Sequence, residues 1–439
     1  MPWLSTLRPG QPPSPLPASL CLALGAAVGI SLSASLILTS LLSANPSRKP
    51  PLPIPSPLKT HLPHLLPAEI TCLPYPPDIL PGGRDVETPY GTIKVFEWGP
   101  EHGEKVLLLH GISTPCLALG TLAEELVAAE YRVMVFDFFG RGYSDAPSDV
   151  AYDIRLYTTQ ILLVLASSRL SWTGDDAFHL VGYSLGGGLA VPFARYFARM
   201  VRSVTVIAGG GLIRPGHVSW RSRVLYSGGG GVVPEGVMEW FIRRRLTPKG
   251  GDGEGATETK MATEVVDVKP GRAEQKHKNS DASGGHSFDN AVLLARRPEF
   301  TVSMVMGWQL RHHGGFIPAF VSSIRHAPIY DQKEDWSALG QLLAERRERS
   351  QSGWEDTAAE QLPGLRGGKI LFVLGASDPV IVKEELIHDA TAVLGEDGFE
   401  AVLLDAGHEL VMSKGDEIAR VMSSFWKRMQ GEGMNGPCT

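Results

Sequence analysis

A serine hydroxyl becomes a useful nucleophile at neutral pH only when a histidine can take its proton and a carboxylate can hold that histidine in place. One serine stands out by its setting. Gly182-Tyr183-Ser184-Leu185-Gly186 follows the apolar run 178–181 and precedes a helix-like stretch. There a G-x-S-x-G pentapeptide would hold the serine on a sharp strand-to-helix turn with its hydroxyl exposed. In a chain with 49 glycines the pentapeptide alone carries little weight, and its context must decide. The competing reading of Ser184 is an ordinary serine in a Gly-rich loop between strand and helix.

Three other stretches share that setting. His110-Gly111-Ile112 follows the run 106–109, Asp378 follows 370–374, and His408 follows 401–404. All four positions lie just past the carboxyl ends of expected parallel strands, the edge at which open α/β sheets place their ligands.

The elements that must position them are readable as short apolar runs at 92–98, 106–109, 133–136, 178–181, 204–208, 370–374 and 401–404. Most are too short for helices and too continuously apolar for a half-exposed sheet, so they read as strands covered on both faces. Between them Phe193, Tyr196, Phe197 and Met200, and later Ile418, Val421, Met422, Phe425 and Met429, recur at helical spacing and read as core-facing stripes. The alternation of strand and helix implies a mostly parallel sheet with helices on its faces. About 160 residues separate the strands at 204–208 and 370–374, far beyond an ordinary connection. An insertion is therefore expected over 211–365. Within it 247–287 is rich in Gly, Lys, Glu, Asp and Thr and is expected to be disordered. Its flanks carry Trp240, Trp308, Phe316 and Phe320, enough apolar surface for a small helical cap.

Ahead of the sheet the chain changes character. After a short tail, 1–19, residues 20–42 carry no charge. As a helix they would span about 35 Å, enough to cross a bilayer core. They are expected to form a transmembrane helix, with a signal peptide as the alternative. Arg48, Lys49 and Lys59 follow it while only Arg8 precedes it, which favours a cytosolic location for the following domain. Gly25 and Gly29 are expected to be two small residues in that helix rather than a dimerisation face. Twelve prolines between Asn45 and Asp85 make 43–85 an expected stiff spacer. The catalytic domain is expected over 86–430.

The order Ser, Asp, His at strand ends closely resembles the α/β-hydrolase fold, and within it the capped lipase, esterase and C–C hydrolase branch. The resemblance covers roughly 85–428. Asp137, Gly140, Gly142, Ser144 and Asp145 strengthen it, because this branch carries a D-x-x-G-x-G-x-S-D loop after the strand that follows the His-Gly loop. The resemblance implies that Ser184 is the nucleophile, His408 its general base and Asp378 the orienting acid. Asp405 and Asp137 are the rivals for the acid; Asp378 is preferred because it precedes Pro379 in the loop where the family keeps that residue. The oxyanion donors would be the backbone N–H groups of Ile112 and Leu185. His110 would shape the oxyanion loop. A tyrosine, Tyr183, stands where many members have a histidine, which the fold tolerates.

A net charge of −6 gives no electrostatic reason to expect nucleic-acid binding. Cys21, Cys72, Cys116 and Cys438 show no metal-site spacing, and His312-His313 lacks accompanying ligands and reads as a surface pair. Arg243-Arg244-Arg245 reads as a solvated helix face, with anionic lipid headgroups as the sharper alternative. The expectation is a membrane-anchored serine hydrolase without metal or organic cofactor, acting on a lipid-like or other hydrophobic ester. The same triad would serve an amidase, thioesterase or C–C hydrolase. Epoxide hydrolysis and dehalogenation fit poorly, because those enzymes of the fold use an aspartate where this chain has Ser184. A catalytically silent scaffold would be expected to have lost a triad member, and none is missing.

Overall fold

The computed structural model describes residues 51–217, 235–246, 285–351 and 364–429. The expected tail 1–19, the transmembrane helix 20–42, the first part of the spacer and residues 247–284 of the expected disordered segment lie outside the described residues; 285–287 belong to a short helix, Gly285–Asn290. Among the described residues no helix is long and apolar enough to cross a membrane.

Eight strands form one sheet: β1 (Gly83–Val86), β2 (Ile93–Trp98), β3 (Lys105–Leu109), β4 (Arg132–Phe136), β5 (Phe178–Tyr183), β6 (Val201–Ile207), β7 (Ile370–Gly375) and β8 (Phe399–Leu404). Their spatial order is β1-β2-β4-β3-β5-β6-β7-β8, antiparallel for the first two pairings and parallel thereafter. Every residue of β3, β5 and β7 is buried, as their unbroken apolar runs require of strands covered on both faces. All seven apolar runs are strands. β1 has no such run: Gly-Arg-Asp-Val is a half-exposed edge strand, invisible to a search for buried strands.

The longer described helices are α1 (Gly120–Ala128), α2 (Ile154–Ala166), α3 (Leu185–Tyr196), α4 (Glu235–Leu246), α5 (Val302–His312), α6 (Phe316–His326), α7 (Lys333–Gln351), α8 (Lys383–Leu394) and α9 (Gly415–Met429), of which α4 to α6 lie in the insertion. Asp153 caps α2, its Oδ1 accepting from the N–H groups of Arg155 and Leu156 at 2.9 and 3.2 Å. Ile418, Met422 and Phe425 of α9 are buried, and Val421 and Met429 half-buried, as their spacing implies. The stripe expected beyond Phe193 is cut short: α3 ends at Tyr196, which faces solvent, and Met200 sits in a separate 3-10 turn. α3 is buried on all sides from Leu185 to Ala194, so no one-sided pattern was there to be extended.

Two boundaries differ from expectation. The Pro-rich stretch is no free spacer from residue 52 onward. Ile54 exchanges both backbone hydrogen bonds with Ala146, the Ser56 N–H and Lys59 Nζ reach Asp145 at 2.8 and 2.7 Å, and Tyr75, Ile79 and Leu80 are buried. Proline blocks internal hydrogen bonding but leaves carbonyls and neighbouring side chains free to pair with a domain, so a proline run can be a strap. Burial opposes charge on Asp145, but Lys59 and the N–H groups of Thr92 and Ser56 outweigh it and hold the carboxyl below its ordinary range. Lys59, counted above among the charges that follow 20–42, is thus engaged in an ion pair with Asp145.

The second boundary is the end of the cap. β6 and β7 are parallel neighbours, which requires a crossover, and α7 supplies it: the Trp336 ring stacks on Phe372 of β7 at 5.8 Å between centroids, and Asp335 pairs with Arg195 of α3. α7 thus belongs to the sheet-flanking layer, and the insertion ends at 332 rather than 365. Its two ends lie side by side. The Gly211 N–H donates to Ile329 O at 2.8 Å, Gln332 N–H to Gly211 O at 2.7 Å and Asp331 N–H to Ile213 O at 3.2 Å.

Candidate active site

β5 ends and α3 begins at Ser184, whose backbone has φ 52° and ψ −115°. A serine in that region is strained by about 1–3 kcal/mol and needs surroundings that over-determine it. They are present. The Ser184 N–H donates to Ile207 O at 3.0 Å, and its carbonyl accepts from Gly187, Gly188 and Gly210 at 3.0, 3.3 and 2.9 Å. A Cβ on Gly182 would sit 2.2 Å from Gly186 O, and one on Gly186 would sit 2.2 Å from Leu109 O. The glycines of the pentapeptide are required by backbone contact, and the turn could not be this tight otherwise.

His408, from the loop after β8, places Nε2 3.1 Å from Ser184 Oγ and Nδ1 2.9 Å from Asp378 Oδ2. The carboxylate accepts from Nδ1–H, which leaves Nε2 as the acceptor for the serine hydroxyl. Asp378 is aimed by its own loop: Oδ1 accepts from the N–H groups of Val380 and Ile381 at 2.8 and 3.0 Å, leaving Oδ2 for the imidazole. The rivals go elsewhere. Asp405 is exposed, and Asp137 is fully buried, accepting from Tyr75 Oη and the N–H groups of Cys116 and Tyr143. Desolvation raises the Asp137 pKa. Its place is inside the loop after β4.

Ile112 lines the cavity in front of Ser184, and Leu185 opens α3, so its N–H has no acceptor within the helix. His110 is buried with Nδ1 2.7 Å from Gly111 O and Nε2 accepting from Phe138 N–H at 2.9 Å. That pattern puts the proton on Nδ1. Burial, then Arg141, pulls its pKa down to about 3, so the ring is neutral. His313 is likewise buried rather than on the surface: Nε2 donates to Ser144 O at 2.9 Å, Nδ1 accepts from Gly315 N–H, and desolvation lowers its pKa to about 4. His312 is half-buried and stacks on His61 of the strap at 3.7 Å.

Tyr183 is a site residue that motif reading passed over. Its phenol donates to His408 O at 2.8 Å, tying the backbone of His408 to the residue before Ser184. Burial first, then Asp378 and Glu409, raise its pKa far above the ordinary value, so it stays a donor. Only its place beside Ser184 could have pointed to it.

The cavity holds about 530 Å³ counting its mouth. Its lining combines Ser184, His408, Ser113 and Thr114 with the apolar residues Leu246, Phe288, Phe320 and Val380. Phe288 lies 6.1 Å from the His408 ring. In the cap helices, Trp308, Phe316 and Phe320 are buried while Trp240 is 54% exposed, with the Arg244 guanidinium over its ring. Among the described residues no cluster of three His, Cys, Asp or Glu side chains could hold a metal ion.

Comparison with known proteins agrees with the fold. The profile described as "Alpha/beta hydrolase family" matches residues 106–421. A "Serine hydrolase-like protein" of Danio rerio is 32% identical over 120 residues, 27% of this chain and 35% of that protein. The Arabidopsis thaliana protein named "Probable lysophospholipase BODYGUARD 4" is 29% identical over 110 residues, 25% of each chain. This chain thus spans about a third or less of the length of these relatives. A crystal structure titled as a membrane phospholipase A superposes with a TM-score of 0.50 at 14% identity, covering 93% of this chain and 98% of that one, a likeness of fold. With the sheet order, the elbow and a profile match over most of its length in agreement, the chain belongs to the alpha/beta hydrolase family.

Proposed function

We propose that this protein is a membrane-anchored serine hydrolase that cleaves an ester with a hydrophobic acyl or alcohol group. The observation that carries the reading is the imidazole of His408 bridging Ser184 Oγ and Asp378 Oδ2 at 3.1 and 2.9 Å. Ser184 Oγ attacks the ester carbonyl while His408 Nε2 takes its proton, and Asp378 stabilises the imidazolium. The carbonyl oxygen gains the charge and is held by the N–H groups of Ile112 and Leu185. His408 then protonates the departing alcohol. Water, deprotonated by the same nitrogen, cleaves the acyl-enzyme and restores the hydroxyl.

An ester with an apolar arm is favoured by the apolar lining residues Leu246, Phe288, Phe320 and Val380. The lysophospholipase names of some relatives point the same way. Anchoring rests on the uncharged stretch 20–42. One experiment tests both parts. Cells expressing the full chain are fractionated, washed with alkaline carbonate and treated with a fluorophosphonate probe. Labelling is expected in the washed membranes and absent for Ser184→Ala. Equal labelling of the variant would remove the hydrolase reading; label released by the wash would remove the anchor.

A further inference from the structure

The cavity loop 111–114 has an unusual feature: three successive carbonyls are each held by a side chain from a different part of the chain. Gly111 O faces His110 Nδ1 at 2.7 Å, Ile112 O accepts from Arg141 Nε at 3.0 Å, and Ser113 O accepts from Gln309 Nε2 at 3.1 Å. His110 belongs to the loop itself, Arg141 to the loop after β4, and Gln309 to cap helix α5.

Gln309 is fully buried, and its amide has one workable orientation: Oε1 accepts from Gly142 N–H at 2.8 Å while Nε2 faces the Ser113 carbonyl. A flipped amide would set donor against donor and acceptor against acceptor. Arg141 is equally buried, and its acceptors are all neutral: Ile112 O, Phe139 O at 3.0 Å and Ser323 Oγ of cap helix α6 at 2.8 Å. Tyr157 Oη shares that serine at 2.7 Å, and Ser323 Oγ donates to Ala319 O at 2.7 Å. Burying a guanidinium is costly, and here it ties oxyanion loop to cap. In a trans peptide the C=O of one residue opposes the N–H of the next. Holding these carbonyls therefore fixes the direction of the N–H groups of Ile112, Ser113 and Thr114, three residues that line the cavity.

We infer that Gln309 and Arg141 are positioning residues: with Ser323 they brace the oxyanion loop against cap helices α5 and α6, making the cap part of the scaffold that aims the oxyanion donors. This rests on the hydrolase reading above. A cap that only covered substrate would influence binding; a cap that braces donors influences the chemical step.

The test uses the full-length protein, with Gln309→Met as a variant of similar volume that removes both bonds. Thermal melting establishes that it folds. Hydrolysis of a p-nitrophenyl ester should lose about 10- to 50-fold in kcat with KM changed less than about threefold. Two inhibitors give the readout a merely structural role would not move. A trifluoromethyl ketone, to which Ser184 Oγ adds as its proton passes to His408 and the carbonyl oxygen becomes the oxyanion, should weaken by a similar factor. A non-hydrolysable ether analogue of the substrate should not. Ser323→Ala, which loosens the Arg141 side, should show the same pattern at a smaller size and carries the test if Gln309→Met does not fold. Unchanged kcat in a folded variant, or equal losses for both inhibitors, would overturn the brace while wild-type turnover leaves the hydrolase reading standing. A wild type that neither turns over the ester nor reacts with the ketone would overturn both.

Discussion

The two halves of the candidate site are held by different means. On the nucleophile side, Ser184 is fixed almost wholly by main-chain contacts: its N–H on Ile207, its carbonyl under three glycine N–H groups, and glycines packed against backbone. Across the cavity, the carbonyls of the loop 111–114 are held by the side chains of His110, Arg141 and Gln309. The elbow is therefore written into a local motif, whereas the loop 111–114 also depends on Arg141 and Gln309, far off in sequence. A backbone-held element tolerates substitution of its neighbours; a side-chain-held one can be loosened by one distant change.

The largest effect should come where the backbone-held half hands over to a side-chain contact. Asp378→Asn keeps the loop bonds from Val380 and Ile381 within reach but can turn an amide N–H toward the imidazole, favouring the wrong tautomer. A kcat loss of about 10⁴ with little change in melting is expected. A loss below tenfold in ester turnover would mean that Asp378 does not orient His408.

Next in size, Tyr183→Phe removes the bond to His408 O while leaving the elbow intact. An unmet carbonyl should cost about 1–2 kcal/mol of stability by denaturant titration, and the less constrained base about 3- to 10-fold in kcat. Should kcat hold while stability falls, the tyrosine supports the fold and not the base.

The smallest effect on turnover is expected from the two buried histidines, which instead make stability depend on pH. His110 and His313 are held neutral, at about 3 and about 4, below an unfolded value near 6.5. Between those values the unfolded chain binds more protons than the folded one, so stability is complete above the unfolded value and lost as pH falls. The slope is about 1.4 kcal/mol per pH unit for each histidine across that window. Melts from pH 7 to 4.5 should show this decline, reduced in His313→Gln. Equal slopes in both proteins would mean that His313 titrates alike folded and unfolded.

What could be read from the residues follows the same division. The apolar runs and the pentapeptide are local signals: burial on both faces and a tight turn each demand particular residue types at particular spacings, and all seven runs are strands although β8 is a half-exposed edge strand with Leu403 turned to solvent. β1 was illegible because Arg84 and Asp85 sit on a half-exposed edge. The strap was illegible because proline content reports what backbone geometry is blocked and says nothing of whether Tyr75 finds a buried partner. α7 reads as part of the insertion because its Glu- and Arg-rich surface hides the few residues, Trp336, Leu339 and Leu343, that face the core. Tyr183, Arg141 and Gln309 gain their roles from neighbours that are distant in the chain, and no spacing rule announces such neighbours.

The side-by-side ends of the insertion have a consequence for how this protein can vary. With Gly211 and Ile213 bonded to Ile329, Asp331 and Gln332, everything between is a closed loop on a short neck, and the strand ends carrying Ser184 and Asp378 do not register how long that loop is. Closure entropy rises only logarithmically, by about 0.6 kcal/mol for each doubling of length. Segments can be added to or removed from such a loop, and a new substrate wall tried, at little thermodynamic cost to the proton-transfer machinery, provided that α5 and α6 keep Gln309 and Ser323 in place.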